Sequence, residues 1–400
     1  TRGYCLCEDM AVYHEEIFMV FTEGKPKDVG FNPEKIQGIS TTLAHWVTTE
    51  KTPAICAFIA RKGKIVLNEA HGVHNSELGT PKLTTDSIFP LASLTKPLTA
   101  ACVDVLMEDR LLDGFSKVSR IIPEFSGPNK DDVNIHHLLT HTPGIDDEKI
   151  WQFKDDSIDY PPVPKNQHPQ IHQYLHNIYA CPQEREPGQL MTYCGSGYEL
   201  LAEIVRRMSG KNIADFARER IFDPLGMNST SYIVPDEHLS RIVRRKDSDP
   251  NGEWMNAPES PKIPLGGNGG YSTTYDMAVF AQMLLNKGTY NGKRIFSPRA
   301  VELMTQDQIP GIKATWRTQT FNTGSWGYGW NIKGMKLDDE GSYRSPRAFS
   351  HGGSGGVYLF GDPEYDVVAA LFIIDTENAI HSAAKPKTLF PNMIISAIDE

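Results

Sequence analysis

Stretches rich in β-forming residues lie near both ends of this 400-residue chain, and helical patterns occupy most of the sequence between them. Residues 54–61 and 64–70 are two such stretches joined by a short Lys-Gly turn, which predicts a hairpin. Residues 356–360 and 366–375 predict a second hairpin close to the end of the chain. Because strands from both ends can share one sheet, the pattern predicts an α/β fold whose main domain is built from both termini.

The remaining patterns divide the chain into three parts. Residues 1–30 are interpreted as an N-terminal extension, residues 31–112 together with 266–400 as the α/β domain, and residues 113–265 as an inserted helical and loop domain. Apolar periodicity predicts helices over residues 32–46, 95–112, 198–208, 213–222 and 274–286, and a further strand over residues 328–332.

The composition argues against several classes of function. The chain carries 40 Lys and Arg against 50 Asp and Glu, which gives a net charge of −10. Its basic clusters are all short, for example residues 241–246. This balance is not typical of a protein that binds nucleic acid. The longest apolar run, residues 367–374, is far too short to cross a membrane as a helix.

Six cysteines are too few for a disulfide scaffold in a chain of this length. Cys56 and Cys102 lie in apolar segments and are interpreted as reduced core residues. Cys5 and Cys7 could ligate a soft metal, but no second pair lies nearby, so no metal or other cofactor is expected. The chain starts at Thr1 without a Met, which indicates a missing or processed start, and no signal peptide is visible. The net charge favours a soluble protein, and we leave open its oligomeric state and whether it is cytoplasmic or secreted after signal removal.

One short motif points to chemistry. Ser93 and Lys96 form an S-x-x-K pattern, and side chains three residues apart share one face of a helix. A lysine beside a serine at a helix start can accept the hydroxyl proton and so activate the serine as a nucleophile. The same pattern recurs at Ser382 and Lys385, where no strand-to-helix context supports it, and we interpret Ser382 as a surface residue.

The surroundings of Ser93 resemble a known family. Residues 89–96 (FPLASLTK) resemble the nucleophile block of the serine β-lactamase and penicillin-binding-protein superfamily, in particular its class C-like branch with family VIII esterases, D-aminopeptidases and acyltransferases. Further blocks follow in the family's order at residues 135–145, 187–188, 193–201, 224–227, 269–273, 327–330 and 350–353. The resemblance covers residues 32–380 and implies an antiparallel sheet flanked by helices, with an inserted, mostly helical domain.

The resemblance also implies roles for particular residues. Ser93 would attack a carbonyl carbon, with Lys96 and Tyr193 moving the protons. The backbone N–H groups of Ser93 and Ser354 would form the oxyanion hole. His351, Gly352 and Gly353 match the closing strand of the family, which lies beside the substrate.

Two positions depart from the family pattern. Relatives that act on β-lactams or peptides carry an Asn whose amide binds the substrate, and Gly195 stands at the matching position here. They also carry Lys-Thr-Gly where this chain has a His-Gly-Gly sequence, so a permanent cation is replaced by the titratable His351. Both changes weaken the interpretation as an antibiotic-hydrolysing enzyme.

Residues 151–186 are rich in proline, histidine and aromatic residues and show little periodicity. Long irregular segments in compact proteins are usually functional loops or lids. We therefore expect this segment to lie over the mouth of the Ser93 pocket and to set substrate choice, with residues 241–264 as the alternative.

Other interpretations of these blocks have less support. His137 and His141 could chelate a metal, but no Glu lies between them as in H-E-x-x-H. The glycines of 266–270 could cradle phosphate, but no Lys-Ser or Lys-Thr follows them.

The sequence thus predicts a serine hydrolase that forms an acyl-enzyme on carboxylic esters or related acyl groups, with acyl transfer as an option. The alternatives are a β-lactamase or DD-peptidase, a D-aminopeptidase or amidase, and a non-catalytic scaffold that kept the fold. The expected partner is a small-molecule ester, amide or lactam, with no nucleic acid and no membrane span.

Overall fold

The computed structural model describes residues 20–155, 157–158, 160–316, 319–376 and 385–399. Its strands are β1 (Thr22–Glu23), β2 (Ala54–Arg61), β3 (Lys64–Gly72), β4 (Phe89–Pro90), β5 (Met191–Thr192), β6 (Tyr271–Ser272), β7 (Thr289–Tyr290), β8 (Lys293–Arg294), β9 (Ala314–Trp316), β10 (Gln319–Phe321), β11 (Asn331–Ile332), β12 (Phe349–Gly353), β13 (Val357–Asp362) and β14 (Val367–Ile373).

The α-helices are α1 (Pro33–Thr48), α2 (Lys96–Glu108), α3 (Val118–Ile121), α4 (Ile135–Leu139), α5 (Asp147–Gln152), α6 (Pro169–Ala180), α7 (Ser196–Ser209), α8 (Ile213–Ala217), α9 (Asp223–Leu225), α10 (Gly252–Met255), α11 (Thr274–Leu285), α12 (Pro298–Thr305) and α13 (Pro386–Ser396). Turns of 3₁₀ helix occur at Pro26–Val29, Ala92–Thr95, Lys130–Asp132, Asp236–Arg241 and Ser260–Lys262, and a π-helical turn at Arg218–Phe222 joins α8 to α9.

The main sheet joins the two ends of the chain. Within the described ranges its strands run in the order β1-β3-β2-β14-β13-β12-β11. The strand pair at its centre is β2 with β14, antiparallel from Ile55↔Ile373 to Arg61↔Val367. The two predicted hairpins are therefore neighbours in one sheet, and the predicted α/β class with an antiparallel sheet flanked by helices is confirmed.

Both faces of this sheet are covered, which explains why β2 is apolar throughout. Successive side chains of a strand point to opposite faces. Ile55, Ala57 and Ile59 belong to a core cluster with α1 and α13, whereas Cys56 and Phe58 belong to a second cluster with α2, α7 and α11. A strand buried on both sides has no solvent face to mark with polar residues.

The local sequence explains where the outer helix α1 begins. The Asn32 side chain accepts hydrogen bonds from the backbone N–H groups of Glu34 (3.0 Å) and Lys35 (3.2 Å), and Pro33 occupies the first turn. The helix predicted over residues 32–46 is confirmed. Its buried side chains are Ile36, Ile39, Leu43 and Trp46.

The helices predicted around the middle of the chain are also confirmed. The amphipathic pattern at 198–208 forms α7, which ends at Gly210 with a φ of 73°. Residues 213–222 form α8 and the π-helical turn, and residues 274–286 form α11.

Two sequence-based predictions of secondary structure were wrong in extent, and one helix was missed. The helix predicted over 95–112 ends at Glu108, because Arg110 adopts a φ of 64° that a right-handed helix does not allow. The strand predicted over 328–332 is reduced to Asn331–Ile332, because Gly329 has a φ of 84°. Residues 151–186 contain the helix α6, which was not predicted, although most of the described residues of this segment lie outside helices and strands.

The helix α6 was missed because histidines and tyrosines lie between its apolar residues and obscure their helical spacing. His168 accepts a hydrogen bond from the backbone N–H of Gln170 (3.3 Å), and Pro169 starts the first turn. Ile171, Leu175 and Ile178 form the buried stripe, at the spacing of a helix.

Residues 20–30, assigned from sequence to an extension, lie against the main sheet. β1 pairs in parallel with β3, and the Arg61 guanidinium donates to the Val29 carbonyl at 2.6 Å. No helix in the described part of the chain is long and apolar enough to cross a membrane.

Leu43 is fully buried where α1 packs on the sheet. We expect Leu43→Ala to lower the free energy of unfolding by about 2–5 kcal/mol, because it removes buried apolar surface and leaves a cavity. Denaturant unfolding followed by circular dichroism measures this. Leu78→Ala is the matched control, since Leu78 is 71% exposed. Its change should stay within about 0.5 kcal/mol, and equal losses in both variants would contradict this description of the core.

Candidate active site

Ser93 lies at a sharp transition from strand to helix. β4 pairs with β6, and the backbone N–H of Leu91 donates to the Gly270 carbonyl at 2.8 Å. The chain then turns through Ala92, whose φ of 46° is unusual for a residue with a side chain. The 3₁₀ turn that follows leads directly into α2 at Lys96, and it leaves Ser93 half-buried.

Lys96 is held beside Ser93 by several contacts. Its Nζ atom donates to the Ser93 Oγ atom at 3.2 Å and to the Gly267 carbonyl at 2.9 Å. The ammonium also lies 4.8 Å from the ring centre of Tyr193 and 5.6 Å from that of Tyr198. Lys96 is only 3% exposed, so the predicted Ser-Lys pair is formed and is largely shielded from water.

The ring of Tyr193 stacks on His141, with 4.3 Å between ring centroids. His141 is fully buried, and its Nδ1 atom accepts a hydrogen bond from the Cys194 backbone N–H at 3.0 Å. Burial lowers the pKa of His141 well below its usual range, and the charge of Lys96 lowers it further. His141 is therefore a neutral ring that supports Tyr193 against the Ser-Lys pair.

His137, four residues before His141, has a different partner. Its Nδ1 atom accepts from the Asn134 backbone N–H at 3.2 Å, at the start of α4. Burial lowers the pKa of His137 to about 4. The two histidines thus serve separate local structures, and no cluster of three metal-ligating side chains occurs among the residues that the structure describes.

The end of strand β12 lies against the Ser93 turn. A Cβ atom at Gly353 would lie 2.1 Å from the Leu91 carbonyl oxygen, so only glycine permits this approach. Ser354, the next residue, is exposed. The two backbone N–H groups predicted to form an oxyanion hole thus belong to segments in direct contact, and their role stays a prediction.

His351 is buried in β12 at 4% exposure. Its Nδ1 atom lies 2.7 Å from the Gly352 carbonyl, which can only accept, so Nδ1 carries the proton and Nε2 is an acceptor. Burial lowers the pKa of His351 to about 3, and the charge of Lys96 adds to the effect. The ring packs 6.2 Å from Tyr193 and 5.7 Å from Trp326, so His351 supplies no cation at neutral pH.

A cavity of about 1140 Å³ opens beside the Ser-Lys pair. The candidate residues that line it are Ser93, Lys96, Tyr193, Gly195 and Ser354. His351, Gly352 and Gly353 are not among the residues that line it, so their substrate-binding role stays a prediction.

The segment 151–186 forms a large part of the cavity wall, as expected. Its contributions include Trp151, Tyr174, Ile178 and Arg185. The alternative segment, 241–264, contributes Ile263. The effect of either segment on substrate choice stays a prediction.

Asp147, which the sequence analysis missed, occupies the space beside Gly195. Its carboxylate accepts hydrogen bonds from the backbone N–H groups of Gly195 (2.5 Å) and Ser196 (3.0 Å) at the N-terminus of α7. A Cβ atom at Gly195 would lie 3.3 Å from Asp147 Oδ2. Asp147 belongs to α5, outside every motif block, so no local signal connected it to the site.

Glu199 was missed for a different reason. It lies in the Tyr193 block, but on the face of α7 opposite the apolar stripe of Leu201, Ile204, Val205 and Met208, and that face of an amphipathic helix usually meets solvent. In the structure it is 3% exposed and lines the cavity, and burial raises the pKa of its carboxyl to about 7.

The four cysteines in the described ranges, Cys56, Cys102, Cys181 and Cys194, are buried and form no disulfide. The predicted burial of Cys56 and Cys102 is confirmed. Cys5, Cys7 and Ser382 lie outside the described residues.

Comparison with known proteins agrees with this architecture. Penicillin-binding protein 4 of Amycolatopsis lactamdurans is 30% identical over 307 residues, which are 72% of this chain and 72% of that protein. The crystal structure of a penicillin-binding protein homologue from Caulobacter crescentus has a TM-score of 0.71 at 19% identity, covering 93% of this chain and 97% of that one. A solved family VIII carboxylesterase also has a TM-score of 0.71, at 20% identity, covering 92% of this chain and 98% of that one.

These structural likenesses establish the fold, and the sequence match establishes the family. The sequence model of the Beta-lactamase family matches residues 39–385, which include the strand-to-helix turn of Ser93, the Tyr193 block and strand β12. The chain therefore belongs to the Beta-lactamase family and has its hydrolase fold.

Proposed function

We propose that the protein is a serine hydrolase that forms an acyl-enzyme through Ser93 and acts on carboxylic esters or related acyl groups. The observation that carries the proposal is the Lys96 Nζ atom 3.2 Å from the Ser93 Oγ atom, at the wall of a cavity of about 1140 Å³. A non-catalytic scaffold would need neither a shielded nucleophile and base nor an open cavity beside them.

The reaction would proceed in two balanced steps. The Ser93 Oγ atom bonds to the acyl carbon while its proton passes to Tyr193 or to Lys96, which accepts it only as the uncharged amine, and the alcohol leaves with a proton returned through Tyr193. Water then attacks the acyl carbon and loses a proton to the same pair. The bond between the acyl carbon and the Ser93 oxygen breaks, the carboxylic acid leaves, and the proton returns to Ser93 as its hydroxyl.

Negative charge that develops on the acyl oxygen needs donors. The backbone N–H groups of Ser93 and Ser354 are proposed for this role, because the close contact of Gly353 with Leu91 holds their segments together. Such donors are effective because they are fixed before the reaction starts.

The preference for esters follows from the polar groups of the cavity. A β-lactam presents an acylamide and a carboxylate, and both lose water on binding. Gly195 offers no side-chain amide, and the carboxylate of Asp147 lies next to it. His351 is neutral, so it is no charge partner for a substrate carboxylate. A simple alkyl ester makes neither demand, which agrees with the fold shared with a family VIII carboxylesterase.

The nucleophile can be identified directly. We expect a fluorophosphonate to add one label to the wild-type protein, at Ser93, because its hydroxyl is activated by Lys96. Intact mass spectrometry and peptide mapping measure this. Ser93→Ala should fold and remain unlabelled, and a label at Ser382 or at another residue would overturn the assignment.

The proton-transfer roles of Lys96 and Tyr193 can be tested separately from the contribution of their side chains to packing. We expect Lys96→Ala and Tyr193→Phe each to slow labelling of Ser93 by at least about 10²-fold, the usual scale for proton-transfer catalysis. Tyr193→Phe keeps the ring that stacks on His141 and removes only the hydroxyl. A Tyr193→Phe protein that reacts at the wild-type rate would show that Lys96 acts alone.

Substrate class is tested by direct comparison. We expect p-nitrophenyl butyrate to be hydrolysed with a kcat/KM roughly 10²–10⁴-fold above that for nitrocefin. The reason is that each unpaired polar group of a bound lactam costs about 1–3 kcal/mol. Steady-state kinetics with both substrates measure the ratio, and the Ser93→Ala protein gives the background. Comparable values for the two substrates would contradict the ester assignment.

A further inference from the structure

Glu199 is a buried carboxyl group that is linked to the Ser-Lys pair through a single residue, Gly267. Its two oxygens accept separate hydrogen bonds, Oε2 from the Gly266 backbone N–H at 3.0 Å and Oε1 from the Gly267 backbone N–H at 2.8 Å. Glu199 donates to no residue through these bonds, and it makes no ion pair within 4 Å among the described residues. Its visible function is therefore to hold two consecutive amides of one loop.

Gly267 connects this carboxyl group to Lys96. Its N–H is bound by Glu199, and its own carbonyl accepts from the Lys96 Nζ atom at 2.9 Å. A Cβ atom at Gly267 would lie 3.3 Å from Glu199 Oε1 and 3.5 Å from Lys96 Nζ. The two charged groups thus border the same small space, and the lack of a side chain at Gly267 keeps that space open.

We propose that Glu199 is a positioning residue for the Ser-Lys pair: its carboxylate fixes Gly266 and Gly267 so that the Gly267 carbonyl holds Lys96 beside the Ser93 hydroxyl. This inference rests on the proposed function. Glu199 has no proposed contact with the reacting atoms and acts through Gly267 and Lys96. Hydrogen bonds to an ionised acceptor are about twice as strong as neutral ones, so the arrangement depends on the charge of Glu199.

The charge of Glu199 changes in the physiological range. Burial raises the pKa of the carboxyl to about 7, Asp147 on α5 raises it further, and the two backbone donors and the charge of Lys96 on α2 lower it. The other titratable groups facing it are the phenols of Tyr174 on α6 and Tyr232, both with a pKa raised by burial, so they stay neutral. Above about pH 7 Glu199 is a carboxylate, and below it the group is protonated and binds the two amides more weakly.

The experiment measures the second-order rate of fluorophosphonate labelling of Ser93 between pH 5.5 and 8.5. We expect the wild-type rate to fall as the pH drops through about 7. Glu199→Gln should lose this dependence and react about 10²-fold more slowly at pH 8, the scale expected when a reacting group is misplaced by about 1 Å. A Glu199→Gln protein with the wild-type rate and the same fall in rate below about pH 7 (the acid limb of the pH profile) would overturn the proposal.

Asp276→Asn is the matched control. Asp276 is 6% exposed, accepts from the Ser229 backbone N–H at 2.8 Å and the Thr230 hydroxyl at 2.9 Å, and burial raises its pKa to about 6. It does not line the cavity, so Asp276→Asn should keep the wild-type pH dependence. Loss of the acid limb in this variant too would assign the limb to general stability and overturn the role of Glu199.

Two further readouts keep the outcomes distinct. Where thermal unfolding shows that Glu199→Gln does not fold, Glu199→Asp takes its place, since it keeps the charge with a shorter reach. We expect it to retain an acid limb with a displaced midpoint, and an unchanged midpoint would contradict the proposal. If wild-type Ser93 is unlabelled at every pH, the proposed function fails, whereas labelling that is independent of Glu199 removes only this inference.

Discussion

The antiparallel pairing of β2 with β14 is the constraint on which the rest of the structure depends. It joins residues more than 300 positions apart, over the whole of β14. This pair closes the sheet between the two ends of the chain, and the neighbouring strands β12 and β13 contact the turn that carries Ser93. The contact of Gly353 with the Leu91 carbonyl then completes the site, and it requires both the sheet order and the absence of a side chain.

Around the Ser-Lys pair, the structure surrounds one buried cation with groups of controlled charge. His141 and His351 are kept neutral by burial and by the nearby Lys96. The rings of Tyr193 and Tyr198 face the ammonium and stabilise it without a formal charge. Glu199 supplies an acidic group that is connected to Lys96 through Gly267. Such a site depends on shielding from water, since the same charges at the surface would interact weakly.

The sequence predicted much of this site because its key residues lie in short local patterns. Ser93 and Lys96 are three residues apart at a helix start, so their contact required no knowledge of distant packing. The two hairpins and α7 were equally clear, since each has its own periodicity and turn residues. The helix α6 was hidden because histidines and tyrosines interrupt its apolar stripe. The strand at 328–332 was overestimated, because the positive φ of Gly329 could not be read from an apolar pattern.

By itself, the sequence determined the two hairpins, the helices α1, α2, α7, α8 and α11, the family blocks and the Ser-Lys pair, all of which depend on neighbours within a few residues. Only the tertiary structure decided that Asp147 lies beside Gly195, that His351 is neutral, and that Glu199 faces the cavity instead of solvent. The physical reason is that the environment of a charge is set by everything packed around it. For Glu199 those surroundings come from α2, α5, α6 and the 266–267 loop, which are far apart in the chain and meet only when it folds.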